Sequence, residues 1–166
     1  MVLATASANG RPTARTVLLK GVDQQGFSFY TNYESMKGKQ LSENPHAALL
    51  FYWPQFERQV RIEGTVEKLS REESREYFST RPRNSRISTW ASRQSETIES
   101  RSSLEDTFER FKQQFRNNEV PLPDYWGGYR LRPSTFEFWQ SRPNRLHDRI
   151  TFVKEGVSWR IVRLSP

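Results

Sequence analysis

The chain is 166 residues long, contains no cysteine and carries a formal net charge of +7, with 26 Lys and Arg against 19 Asp and Glu. That length buries one core and predicts a single domain over 1–166. The composition excludes disulfides, thiolate chemistry and zinc–thiolate sites, and no run of about eighteen apolar residues is present to form a membrane span.

Met1 opens into V-L-A-T-A-S, without the basic start and long apolar core of a signal peptide, so a cytoplasmic location is expected. Val2 to Ser7 reads as a short strand, and Asn9-Gly10 as a hairpin turn that returns Thr13 to Lys20 as a second strand. Asp23 to Gly26 turns into a third strand over Phe27 to Thr31. Glu34 to Ser42 reads as a helix closed by Asn44-Pro45. Ala47 to Trp53 is almost continuously apolar, which predicts a strand buried on both faces. Gln59 to Leu69 alternates and predicts a long strand with an irregularity at Gly64.

Helical signals occupy the middle. Ser70 and Glu73 form a capping box ahead of Tyr77 and Phe78, and Arg81-Pro82 ends that helix. Asn84 to Ala91 predicts another short helix. Leu104, Phe108, Phe111 and Phe115 recur at helical spacing and form one apolar stripe, a core face rather than a cofactor box. After Pro121 and Pro123 three strands follow: Gly128 to Leu131 with Phe136 to Gln140, then His147 to Val153, then Val157 to Leu164. Sequential antiparallel strands with inserted helices predict a mainly β, α+β fold, Greek-key-like, closed as a barrel or sandwich rather than doubly wound.

The densest chemistry lies in Asn144 to Arg149, N-R-L-H-D-R. On an extended strand Arg145, His147 and Arg149 share one face, a row suited to an anionic, proton-exchanging ligand. The bland account is a solvated, salt-bridged strand; it is weaker here because bulky apolar runs flank the cluster. Arg15 and Lys20 bracket R-T-V-L-L-K and would face opposite sides of an ideal strand, so a bulge or the strand's end is needed to aim both at one ligand. Tyr77 and Arg81 are i, i+4 on one helix face and Ser85 lies just past the Pro82 break, together a plausible phosphate cradle or, more blandly, a helix end with a favourable cation. The cations are mostly arginine, whose fork matches phosphate. Charge alone admits a nucleic-acid surface or pockets for small phosphorylated ligands, but favours an ordinary solvated surface. Phosphate loops of the P-loop and dinucleotide types are absent, as are paired carboxylates and any metal-ligand cluster. His147 is the one good acid–base candidate and has no nucleophile beside it, which argues against triad chemistry and leaves the hard step to a cofactor.

Taken in order, R-T-V-L-L-K, F-Y-T-N, E-R-Q-V-R-I-E-G, Y-F-S-T-R-P-R-N-S, W-A-S-R-Q-S, V-P-L-P-D-Y-W-G-G-Y, E-F-W-Q and N-R-L-H-D-R resemble the pyridoxamine 5′-phosphate oxidase family from Met1 to the closing R-L-S-P. The resemblance implies a homodimeric split β-barrel with FMN at the subunit interface. It implies oxidation of pyridoxine or pyridoxamine 5′-phosphate to pyridoxal 5′-phosphate, with O2 giving H2O2. It implies FMN contacts at Arg15, Thr16, Val17, Leu18, Leu19, Lys20, Tyr30, Thr31, Met36, Lys37, Gln59, Gln94, Ser95, Trp139 and Arg149. Substrate phosphate would lie near Lys20, Tyr77, Arg81 and Ser85, with Arg145, Leu146 and His147 over the substrate ring; Arg145 and His147 are the catalytic candidates. Two phosphorylated ligands per site would account for the cations.

The chain departs from the family pattern at Met36, where Arg is usual, and at Ser141, where Gly is usual and where a positive φ would be costly for serine. The family also carries a segment of several dozen residues ahead of the position of Met1, contributing a flap over the substrate. A related split-barrel flavoprotein that binds FMN or pyridoxal phosphate with little oxidase activity is the alternative. A basic nucleic-acid-binding β-barrel is a distant third, because no stacking platform interleaved with basic residues is present.

Overall fold

A computed structural model describes all residues, Met1–Pro166. The chain forms two compact units, each assembled from separated stretches: Met1–Phe29, Gln40–Glu67 and Arg130–Pro166 in the first, Tyr30–Lys39 and Lys68–Tyr129 in the second.

The first unit is built on antiparallel hairpins. Strands β1 (Val2–Ala6) and β2 (Pro12–Thr16) pair across a turn in which Gly10 holds φ +80, the left-handed conformation that glycine adopts without penalty. β3 (Gly21–Asp23) pairs with β4 (Gly26–Asn32), β5 (His46–Trp53) with β6 (Arg58–Lys68), and β8 (Asp148–Glu155) with both β9 (Ser158–Arg163) and the long β7 (Trp126–Gln140). The sheet order is β2-β1-β5-β6-β7-β4-β3, with β8 and β9 added on β7. Strands β4 and β7 continue along the chain into the second unit. Leu3, Phe29, Leu49, Ile62 and Leu131 are the fully buried anchors of this unit.

Four expectations are corrected here. β5 alternates in burial over its first half and ends with Tyr52 and Trp53 exposed, so it is not covered on both faces. β2 stops at Thr16, and Val17 to Lys20 runs irregularly into the short, unforeseen β3. Gly64 is not a bulge: the β5–β6 register runs unbroken through Ala47↔Gly64. Its lack of a side chain serves a close approach instead, since a Cβ there would lie 2.0 Å from the Arg132 carbonyl oxygen. Finally, the last β-hairpin begins at Asp148 rather than His147, for a reason that lies in the preceding turn and concerns the site.

The second unit is helical. Helix α1 (Met36–Glu43) starts in it, with Ser35 Oγ accepting from the Gly38 amide as an N-cap. α2 (Arg71–Thr80) opens with the expected capping box, Ser70 Oγ accepting from Glu73 N at 3.1 Å and Glu73 Oε2 from Ser70 N at 2.9 Å. α3 (Arg83–Ala91) and α4 (Arg101–Gln114) follow. Phe78, Ile87, Phe115, Val120 and Trp126 form the core of this unit, with Phe108 and Phe111 packed on it, so the aromatic stripe of α4 is core as predicted. The proline-rich V-P-L-P-D stretch is pinned by the Arg71 guanidinium, which donates to Leu122 O at 2.6 Å and Pro123 O at 2.8 Å. No helix is long and apolar enough to cross a membrane.

Candidate active site

In the second unit, residues far apart in sequence meet at one ammonium. Lys37, 8% exposed, donates from Nζ to Gln94 Oε1 and Ser35 Oγ at 3.0 Å and to Thr31 Oγ1 at 3.1 Å. Thr31 Oγ1 in turn donates to Gln94 Oε1 at 3.2 Å. The next residue, Ser95, adopts φ +77 and accepts with Oγ from the Met36 amide at 3.2 Å. β4 supplies Thr31, α1 supplies Met36 and Lys37, and the polar loop after α3 supplies Gln94 and Ser95. The Met36 side chain is 55% exposed. A buried ammonium costs desolvation unless its donors are used, and here oxygens from separated segments take them up.

The same unit carries the phosphate-cradle candidates. Tyr30 and Tyr77 stack at 3.9 Å, and Tyr30 stacks on Trp126 at 5.6 Å. The Arg81 guanidinium lies 4.6 Å over the Trp126 ring and donates from Nη1 to Thr89 Oγ1 at 2.8 Å; Thr89 Oγ1 donates on to Ser85 O at 3.0 Å. Tyr77, Arg81 and the start of α3, which bears Ser85, are thus brought together, with Thr89 as a link that spacing alone did not reveal. Burial holds the Arg81 pKa below its ordinary value, opposed by Tyr77.

In the first unit, Arg15 donates to Leu3 O at 3.2 Å, to Thr5 Oγ1 at 2.6 Å and to Thr13 Oγ1. Gln40 Oε1 accepts from both threonines, at 2.6 and 2.8 Å, and burial lowers the Arg15 pKa. Because β2 ends at Thr16, the alternation separating Arg15 from Lys20 does not apply; the Lys20 amide instead donates to Ser28 O at 2.9 Å. Between them Thr16 and Leu18 are exposed and Val17 and Leu19 half-buried.

The N-R-L-H-D-R cluster is also in the first unit, and it is not one strand. Pro143–Arg145 forms a short 3-10 turn in which Asn144 (φ 58) and Arg145 (φ 61) are both left-handed. Strand alternation therefore begins only at Asp148, and of the two guanidiniums and the imidazole expected in a row only Arg149 stands on a strand. Pro143-Asn144 carried the signal for this break: proline fixes φ and asparagine tolerates the left-handed region. Arg145 and Leu146 are exposed at the turn. His147 nevertheless comes back to Trp139, their rings 4.8 Å apart, and its Nδ1 accepts from the Arg142 amide at 3.1 Å. Trp139 and Arg149 are register partners. Arg149 donates to Glu137 Oε2 at 2.9 Å and Arg61 to the same atom at 3.0 Å; Glu137 is 4% exposed and was not anticipated. Gln59 sits half-buried opposite Tyr52. Ser141 has no positive φ, so serine there carries no backbone penalty; its amide donates to Glu57 O at 3.0 Å.

Within the second unit, a buried ammonium ringed by hydroxyl and amide groups and a partly buried guanidinium suit phosphorylated ligands; the first unit separately holds partly buried guanidiniums and an indole beside an imidazole.

A family model described as pyridoxamine 5′-phosphate oxidase matches residues 1–115, and one described as the pyridoxine 5′-phosphate oxidase C-terminal dimerisation region matches 126–166. The chain is 57% identical over 166 residues to a pyridoxine/pyridoxamine 5′-phosphate oxidase of Rubrobacter xylanophilus, covering 100% of this chain and 76% of that one. It is 60% identical over 167 residues to that of Paraburkholderia phymatum, covering 100% and 78%. Among solved structures, PhzG from Burkholderia lata 383, in complex with tetrahydrophenazine-1-carboxylic acid, superposes with a TM-score of 0.93 at 30% identity, over 99% of this chain and 81% of that one. A pyridoxamine 5′-phosphate oxidase-related, FMN-binding protein from Nostoc punctiforme shares the fold, with a TM-score of 0.76 at 18% identity over 99% and 86%. The antiparallel sheet with inserted helices is accordingly the split-barrel fold, and this chain belongs to the pyridoxamine 5′-phosphate oxidase family.

Proposed function

We propose that the chain, acting over 1–166 as one functional domain, oxidises pyridoxamine 5′-phosphate and pyridoxine 5′-phosphate to pyridoxal 5′-phosphate, with O2 reduced to H2O2. The observation that carries this reading is the convergence on Lys37 of Thr31, Ser35 and Gln94, with Ser95 held to the adjoining Met36 amide. Five of these positions, Thr31, Met36, Lys37, Gln94 and Ser95, are among the FMN contacts that the family resemblance implies.

FMN, when bound, supplies a hydride acceptor. The chain's own residues bind and orient. Lys37, Arg15, Ser95, Gln94, Gln59 and Arg149 would hold the cofactor, joined by Lys20 and the chain from Thr16 to Leu19. Arg81, backed by Trp126 and Thr89, presents a guanidinium for the substrate phosphate, with Tyr77 and Ser85 beside it. Arg145 and Leu146, on the exposed turn, and His147 close over the substrate ring. A two-fold homodimer completes the site.

The test is turnover of pyridoxine 5′-phosphate by the purified, FMN-loaded protein with detection of H2O2. Production of pyridoxal 5′-phosphate with matching peroxide supports the proposal. A protein that holds FMN yet yields neither product is a split-barrel flavoprotein of another activity.

A further inference from the structure

We propose that Arg142 is a positioning residue that fixes His147 as the Nε2-protonated tautomer, making the imidazole a hydrogen-bond donor to the C4′ substituent of the substrate rather than a base. The inference rests on the reading of His147 as substrate-facing.

A neutral imidazole has one donor and one acceptor nitrogen, and the partner of one dictates the other. The Arg142 main-chain N–H can only donate, and it points at His147 Nδ1 at 3.1 Å. Nδ1 therefore presents its lone pair and the ring proton lies on Nε2. Trp139, 4.8 Å from the imidazole, limits its rotation.

The turn that makes this contact is closed by the Leu146 amide donating to Pro143 O at 3.2 Å, yet its backbone is strained. Asn144 and Arg145 are consecutive non-glycine residues in the left-handed region, which is costly unless surroundings impose it. The imposing contact is a second tie across the same turn: Arg142 Nε donates to Asp148 Oδ2 at 2.7 Å. Asp148 Oδ1 is held in turn by the Arg163 guanidinium from β9. Arg142 thus acts at both ends, its guanidinium fastening the residue after His147 and its amide selecting the face of the ring.

The experiment uses the FMN-loaded protein and reads the ring nitrogens of His147 by long-range proton–nitrogen correlation in alkaline buffer. The chain has two histidines, and exposed His46 serves as the internal reference. In the wild type His147 shows a protonated Nε2 and an acceptor Nδ1. In Arg142→Ala it moves toward the mixed pattern of His46, and Arg142→Lys restores it. In parallel, KM for pyridoxine 5′-phosphate rises roughly two- to tenfold in Arg142→Ala, the worth of one neutral hydrogen bond, with kcat changed less. A protonated Nδ1 in the wild type, or a tautomer unmoved in Arg142→Ala, overturns the role of Arg142. Wild-type kinetics in His147→Phe overturn the donor role instead, and with it the substrate-facing reading, whatever the nitrogen spectra show.

Discussion

Lys37 is the residue on which most of the candidate site depends. Replacing it by methionine keeps the volume and removes the ammonium that joins Ser35 Oγ, Thr31 Oγ1 and Gln94 Oε1. Lys37→Met should lose FMN on dialysis while its far-ultraviolet circular dichroism stays native; full flavin retention would remove Lys37 from the cofactor site. Arg81→Ala should leave flavin content unchanged and raise KM for the phosphorylated substrate by about ten- to a hundredfold, the loss of a charge-assisted contact of roughly 1.5–3 kcal/mol. Flavin loss with unchanged KM would assign Arg81 to the other phosphate. Which residues matter was legible here only through the order of the motifs. Nothing in the spacing of Lys37 and Gln94 says that they touch, because a side-chain contact across 57 positions is set by tertiary packing. Ser35, Thr89 and Glu137 escaped for the same reason: each acts through a neighbour, and short polar residues in such places look like ordinary caps and strand positions.

At the scale of elements, local rules worked where the sequence carried its own stop signal. The capping box at Ser70, the break at Arg81-Pro82 and the hairpin at Asn9-Gly10 all formed as read. Periodicity misled where a break came without a change of polarity. Arg145, His147 and Arg149 keep a spacing of two, yet two left-handed residues dissolve the strand that this spacing implies. Gly64 is the reverse case, a residue read as a defect that is a requirement. Gly64→Ala puts a Cβ 2.0 Å from the Arg132 carbonyl oxygen, against backbone that cannot rotate away. We expect a loss of about 1–3 kcal/mol or more, seen as a fall in Tm of roughly 2–4 °C for each kcal/mol. An unchanged Tm would mean that β6 and β7 are looser than this contact implies.

For the whole molecule, alkaline stability should be set by buried phenols. Burial pushes the Tyr129 pKa up to about 12, with Tyr33 adding to it, against about 10 in an unfolded chain. The folded state thus resists ionisation. Its contribution is intact below about pH 10 and is lost as pH rises toward about 12. Denaturant midpoints measured across that window should fall, and Tyr129→Phe should flatten part of the slope; a slope identical in the variant would place the sensitivity elsewhere. Association is the second property at this scale. The β8–β9 hairpin, inside the matched dimerisation region, leaves Val157, Trp159 and Ile161 exposed on an isolated chain. Light scattering should give a two-fold dimer, and Ile161→Glu should weaken it; a flavin-loaded monomer would defeat the proposal of an interfacial cofactor.

The proposed reaction releases peroxide beside the protein that makes it. Sulfur is what peroxide oxidises first in a protein, and this chain has no cysteine and two methionines. One of them, Met36, stands half exposed at the first turn of α1, beside the ammonium that gathers Thr31, Ser35 and Gln94. On the proposed reaction, sulfur oxidation in this chain has two targets, Met1 and the half-exposed Met36 thioether. A leucine at that position would remove the internal target and leave in place the main-chain amide that Ser95 receives.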